Sequence, residues 1–200
     1  MESRMNRERF FGLLTRLNAG GLVQVQGAYW LAKNAHRMQQ RDGGERYFEH
    51  PRRVAIALVE SGDYDADTLC LALCHDVVED SNTPAHVIVD LFDAAFWRDL
   101  ATLSKYVPLF DPVTGQIIGR VKKPLEEYFA AIAGAALRVR RVKLFDRLDN
   151  LDTMKAEWPA ERRTAYLDET RARLLPIAVA TDARLAATLE AAMRNAETSS

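Results

Sequence analysis

The chain has 200 residues, 48% of them hydrophobic and 28% charged, with a formal net charge of −1. This balance fits one globular domain over residues 1–200 with enough apolar mass for a core. A near-neutral chain sets up no global field for nucleic acid, and no run approaches the roughly 18 uninterrupted apolar residues of a membrane span.

The N-terminus, MESRMNRERF, mixes charges early and lacks the apolar centre of a signal peptide, so a cytoplasmic location is the expectation. From there the sequence reads as helices almost throughout: Ala, Leu, Arg and Glu dominate and strand alternation is missing. A first helix is expected over about Arg7 to Asn18, stopped near Ala19-Gly20-Gly21, and a second over Leu22 to Met38. The segment Gln39 to His50, QQRDGGERYFEH, reads as a loop because two glycines and scattered charge end the helix. Pro51 suits the first turn of a third helix, ending near Ser61-Gly62.

A fourth helix is expected from about Asp65 to Glu79, and Thr83-Pro84 opens a fifth. The stretch Tyr106 to Gly119, YVPLFDPVTGQIIG, is turn-rich and reads as a loop, either beside a cleft or as a surface excursion. Pro124 restarts a helix, another spans about Leu137 to Trp158, and Pro159 leads into a C-terminal helical region with a boundary at Pro176 and a frayed tail from Arg194. The fold class is all-α. Cys70 and Cys74 lie four apart within an apolar helix and read as small buried hydrophobes, not a disulfide framework.

The strongest chemical signal is Leu69 to Asp80, LCLALCHDVVED. Six apolar residues bury the helix, and His75, Asp76, Glu79 and Asp80 follow at once. The pairs His75/Glu79 and Asp76/Asp80 are each four apart and form adjacent ridges. Three carboxylates at the end of a buried helix repel one another, and a divalent cation supplies the missing charge. The bland alternative is a helix that emerges into water at Cys74. Read alone, His50 beside Pro51 is as well a capping or surface residue. Asp146, at the margin of the apolar stripe Val139, Val142, Phe145 and Leu148, is as well the partner of Arg147 or Arg141. The basic run Arg138 to Lys143 has a solvated helix face as its simplest reading.

Taken together, His50-Pro51, His75-Asp76 with Glu79-Asp80, and Asp146 with Asn150 come in the order of the RelA/SpoT-type HD hydrolases. Within that family the chain resembles the stand-alone small alarmone hydrolases. AYWLAKNAHRMQQRDGGERYFEHP, CHDVVEDSNTP, RVKLFDRLDNL and ERRTAYLDETRARLLPIA all resemble segments of that family, and the likeness covers about Gly27 to Ala180. It implies a single HD-domain helical bundle around a central buried metal site. His50, His75, Asp76 and Asp146 would hold one divalent ion, manganese by the family's habit and by the donor set. Glu79 and Asp80 would be the catalytic acid/base pair. Arg41, Tyr47, Asn150 and Thr153 would line the nucleotide pocket, with Lys143 and Arg147 adding positive charge near phosphates.

The implied reaction is hydrolysis of guanosine 3′,5′-bis(diphosphate) (ppGpp) at its 3′-pyrophosphate. The sequence departs from the family at Asp42 and Gly43, where a Lys-Ser pair is common. It departs again at Arg46 for a proline, Asp149 for a frequent histidine and Asp152 for a frequent arginine. These are expected to alter the substrate pocket and to leave the metal set untouched. Two alternatives follow: an HD phosphatase for another phosphorylated nucleotide, such as the 2′-phosphate of a dinucleotide cofactor, or a non-catalytic nucleotide sensor. The implied partner is a small nucleotide, with no nucleic acid and no membrane; a homo-oligomer is compatible with the sequence but not fixed by it.

Overall fold

The computed structural model describes residues 2–41, 43–154 and 158–198. The helices, in chain order, are α1 (Glu2–Leu13), α2 (Ala19–Ala35), α3 (Glu49–Glu60), α4 (Ala66–Cys74) and α5 (Val77–Asp80), then α6 (Ala85–Leu91) and α7 (Ala94–Leu103). A hairpin of β1 (Tyr106–Phe110) and β2 (Ile117–Lys122) follows, then α8 (Leu125–Gly134), α9 (Leu137–Asp152), α10 (Ala160–Glu169), α11 (Leu175–Thr181) and α12 (Ala183–Thr198). The all-α class holds: this hairpin is the one sheet among the described residues.

The centre is α4. Leu69 through Cys74 have no exposed surface, and α4 packs against α2, α3 and α9. Each fully buried leucine there contributes about 2 kcal/mol of apolar burial. Both cysteines are buried and unpaired, as expected, and burial pushes both thiols well above the ordinary range.

Several boundaries differ from the expectation for identifiable reasons. Gly20 and Gly21 do not stop a helix; Asn18 caps α2, its side chain accepting from Gly21 N at 2.8 Å, so both glycines sit in the first turn. The first helix ends earlier, at Leu13, and passes through a 3-10 turn. The expected single helix from Asp65 to Glu79 is broken between Cys74 and Val77. The Ala72 carbonyl there accepts the His75 imidazole Nδ1–H at 2.8 Å, a side-chain bond that competes with the helical ladder.

The expected loop at Tyr106 to Gly119 belongs to an antiparallel hairpin, Tyr106 opposite Lys122 and Phe110 opposite Ile117, with an irregularity at Leu109/Phe110. Neither strand buries one whole face, so no alternating pattern was there to read. α9 ends at Asp152, with Thr153 as its C-cap, and residues 155–157 of the expected longer helix lie outside the described residues. Before Pro176 the chain widens into a π-helical turn, Thr170–Leu174. A proline ring clashes with the carbonyl four residues back, and the wide turn relieves that clash. The C-terminal helix continues past Arg194 to Thr198.

Candidate functional site

The loop between α2 and α3 is built by short backbone bonds. Gly44 N donates to Arg41 O at 2.8 Å, Arg41 N to Glu45 O at 2.9 Å and Tyr47 N to Gln39 O at 3.0 Å. Gly44 takes φ +78°, which a side chain would resist. The turn presents Arg41 and Tyr47 on one side and delivers His50 into the first turn of α3. Asp42 lies outside the described residues.

His50, His75, Asp76 and Asp146 come from three elements and meet. The Nε2 atoms of His50 and His75 are 3.2 Å apart. Asp146 Oδ1 is 3.1 Å from His50 Nε2 and 3.6 Å from His75 Nε2. Asp76 Oδ1 is 3.2 Å from His75 Nε2, and its Oδ2 is 3.7 Å from His50 Nε2. His50, His75 and Asp76 offer donor atoms all within 4.8 Å of one another.

The hydrogen bonds say what fits there. His75 Nδ1 faces the Ala72 carbonyl and His50 Nδ1 faces Asp149 Oδ2 at 2.6 Å; both partners can only accept. Each Nδ1 therefore carries a proton, and each ring turns its Nε2 toward the same point as two carboxylates. Such a cluster is satisfied by positive charge, and the donor set suits a divalent cation. The electrostatics agree. Burial opposes charging the two rings, yet the hydrogen bonds and charges of Asp146, Asp149 and Asp76 carry both above the ordinary histidine value. Burial likewise opposes ionising both carboxyls, but Lys143 and the two histidines hold Asp146, and the two histidines hold Asp76, well below the usual range.

Around this centre lies a cleft of about 640 Å³, a size that holds a small ligand. Glu79 and Asp80 line it together with the four central residues. Burial and the neighbouring Asp76 raise both carboxyls above their ordinary values. Glu79 Oε2 accepts Lys105 N–H at 2.8 Å, so the base of the hairpin fixes it. The Tyr47 hydroxyl sits between Asp80 Oδ2 at 2.7 Å and Asp76 Oδ2 at 3.0 Å, with one proton for two carboxylates. The His36 ring stacks on Tyr47, and Gln39 Nε2 donates to Asp80 O.

All six expected pocket residues line the cleft: Arg41, Tyr47, Lys143, Arg147, Asn150 and Thr153. Arg41 reaches Asn150 Oδ1, and Asn150 Nδ2 donates to Asp146 Oδ1 at 2.6 Å. The partner of Asp146 is neither Arg141 nor Arg147 but Lys143, at 2.7 Å. Arg141 pairs with Asp63, and Arg138 with Asp99. Arg147 is buried against Tyr166 and pairs with Glu169 and Thr170.

Sequence reasoning missed Arg53, Lys105, Trp158, Arg162 and Tyr166, which also line the cleft. Arg53 is three residues past His50 on the same helix, a spacing that could have flagged it; Lys105 carries no such signal. One expectation is corrected. Asp149 does not leave the metal set untouched, since it bonds His50 directly. Asp152 is exposed and not among the residues lining the cleft.

A family model described as an HD domain matches residues 28–179. The chain belongs to the HD domain family. This HD chain is 34% identical over 160 residues to a guanosine-3′,5′-bis(diphosphate) 3′-pyrophosphohydrolase of Aquifex aeolicus (strain VF5), covering 78% of this chain and 21% of the relative. It is 35% identical over 153 residues to the bifunctional (p)ppGpp synthase/hydrolase SpoT of Escherichia coli (strain K12), covering 74% of this chain and 20% of that protein. The HD chain thus spans about a fifth of the length of these curated relatives. A solved structure of a metazoan SpoT ortholog described as hydrolysing ppGpp superposes with a TM-score of 0.72 at 24% identity. The match covers 90% of this chain and 97% of that one, and it shows the shared fold. The family and the His/Asp cluster together imply a divalent metal.

Proposed function

We propose that residues 1–200 form a single HD domain that hydrolyses ppGpp at its 3′-pyrophosphate, releasing GDP and pyrophosphate. The observation that carries this reading is the convergence of two imidazole Nε2 atoms and two carboxylates beside Glu79 and Asp80 in one cleft. His50, His75, Asp76 and Asp146 would hold one divalent ion, manganese by the borderline-hard donor set. Such an ion acidifies water and polarises a phosphoryl oxygen.

The chain's own groups supply the remainder. One of Glu79 and Asp80 takes a proton from the attacking water, and the pair returns one to the ribose 3′-oxygen as the phosphorus–oxygen bond breaks. The Tyr47 phenol, kept protonated by burial and by its carboxylate neighbours, orients Asp80. Arg41, Asn150 and Thr153 hold the base and sugar, and Lys143 and Arg147 present positive charge to phosphates. Relatives described as acting on ppGpp support the substrate. A cytoplasmic setting goes with a small soluble nucleotide; among the described residues no helix is long and apolar enough to cross a membrane.

A second reading, a phosphatase for another phosphorylated nucleotide, is favoured by Gly43 on the cleft wall, where a Ser is common. One experiment separates them. Manganese-loaded protein is incubated with ppGpp and, in parallel, with a dinucleotide 2′-phosphate, and products are separated by chromatography. GDP plus pyrophosphate supports the main reading. Release of inorganic phosphate from the dinucleotide alone supports the second, and neither product contradicts both.

A further inference from the structure

The two ligand imidazoles are held from behind by different partners. His75 Nδ1–H goes to a neutral carbonyl, Ala72 O, at 2.8 Å. His50 Nδ1–H goes to a carboxylate, Asp149 Oδ2, at 2.6 Å. That carboxylate is itself locked: Arg53 Nε donates to its Oδ1 at 2.6 Å and an Arg53 terminal nitrogen to its Oδ2 at 3.0 Å. Arg41 approaches the same Oδ2 at 3.4 Å, and the other arm of Arg53 pairs with Glu45. Asp149 is not among the residues lining the cleft, whereas His50 is. Its route to the chemistry therefore runs through the imidazole.

We propose that Asp149 is a positioning residue for the metal site, fixing His50 as an Nε2 donor and holding its ring in the orientation that faces the ion. This rests on the ligand set proposed above. A charged acceptor draws the Nδ1 proton more strongly than a carbonyl does, which raises electron density at Nε2 and sets the ring orientation. The forked bond from Arg53 keeps the carboxylate from rotating away. Asp149 stands where a histidine is frequent in the resembled family, and here it sets a carboxylate behind His50.

The test uses the zinc ion alone as probe, with affinity read by competition against a coloured chelator and folding by circular dichroism. The parent chain is expected to bind one ion and His75→Ala to lose it. Asp149→Asn is expected to keep its helical signal and bind zinc about 10- to 100-fold more weakly. Arg53→Gln loosens the lock but leaves the acceptor in place, so it is expected to weaken zinc binding less than Asp149→Asn does. Parent-like binding by Asp149→Asn would overturn the proposal, as would equal weakening in Arg53→Gln, which would assign the effect to the ion pair. Parent-like binding by His75→Ala would instead remove the ligand set, and the proposal with it. If Asp149→Asn does not fold, the zinc-loaded parent still decides. A long-range ¹H–¹⁵N spectrum should show the His50 proton on Nδ1, and a proton-free Nδ1 would overturn the assignment.

Discussion

His50 and His75 bring their Nε2 atoms to 3.2 Å while each ring commits its Nδ1 proton to an acceptor behind it. The carboxylates of Asp76 and Asp146 crowd the same point, so the folded chain gains by taking up positive charge there. A divalent ion that binds only the folded state stabilises it by mass action. At 100 times its dissociation constant the gain is about 2.7 kcal/mol, or roughly 5–10 °C for a chain of this size. Thermal unfolding with and without manganese should show that shift in the parent and none in His75→Ala. An equal shift in both would place the ion elsewhere.

Glu79 is fixed by the Lys105 backbone, and its carboxyl is raised by burial and by Asp76 and Asp80. A glutamine still accepts from Lys105 but cannot exchange a proton. Glu79→Gln should retain one ion per chain and lose about 10²- to 10⁴-fold in kcat. Metal analysis and steady-state kinetics on the same preparation check this, and turnover at the parent's rate would refute the role.

Arg41 bonds Asn150, which in turn bonds Asp146. Losing one charged hydrogen bond to a ligand costs about 1.5–3 kcal/mol. Arg41→Ala should therefore raise KM about 10- to 100-fold, with kcat changed far less. A loss confined to kcat would move Arg41 from binding to the chemical step.

Arg147 is buried, with Glu169 beside its guanidinium. Burial works to raise the Glu169 pKa, but the Arg147 hydrogen bond and charge outweigh it and hold the carboxyl below the ordinary 4.5. Between the two values the unfolded chain binds more protons than the folded one, so stability rises with pH there. The contribution is complete above the unfolded pKa and fades as pH falls through the lower, folded one. Urea unfolding at a series of acidic pH values should show this limb in the parent and a flatter one in Glu169→Gln. A parallel limb in both would assign the acid sensitivity to other carboxylates.

The sequence exposed the helical character, the burial of Leu69 to Cys74 and the spacing of His75, Asp76, Glu79 and Asp80, because each is a local pattern. It did not expose the break at His75. That break depends on a side-chain bond to Ala72 O that competes with the helix. The hairpin was invisible because neither strand buries a single face. Asp149 looked like a pocket substitution, and only the packing of α9 against α3 shows it behind His50. Lys143, one turn before Asp146, proved to be that acid's partner, where the sequence offered Arg141 and Arg147 as equals.

The most direct measurement is an anomalous difference map from crystals grown with manganese. A single strong peak bonded to His50 Nε2, His75 Nε2 and the carboxylates of Asp76 and Asp146 is the predicted result, with the peak gone in Asp76→Ala. Four side chains directed to separate places with no ion among them would contradict it.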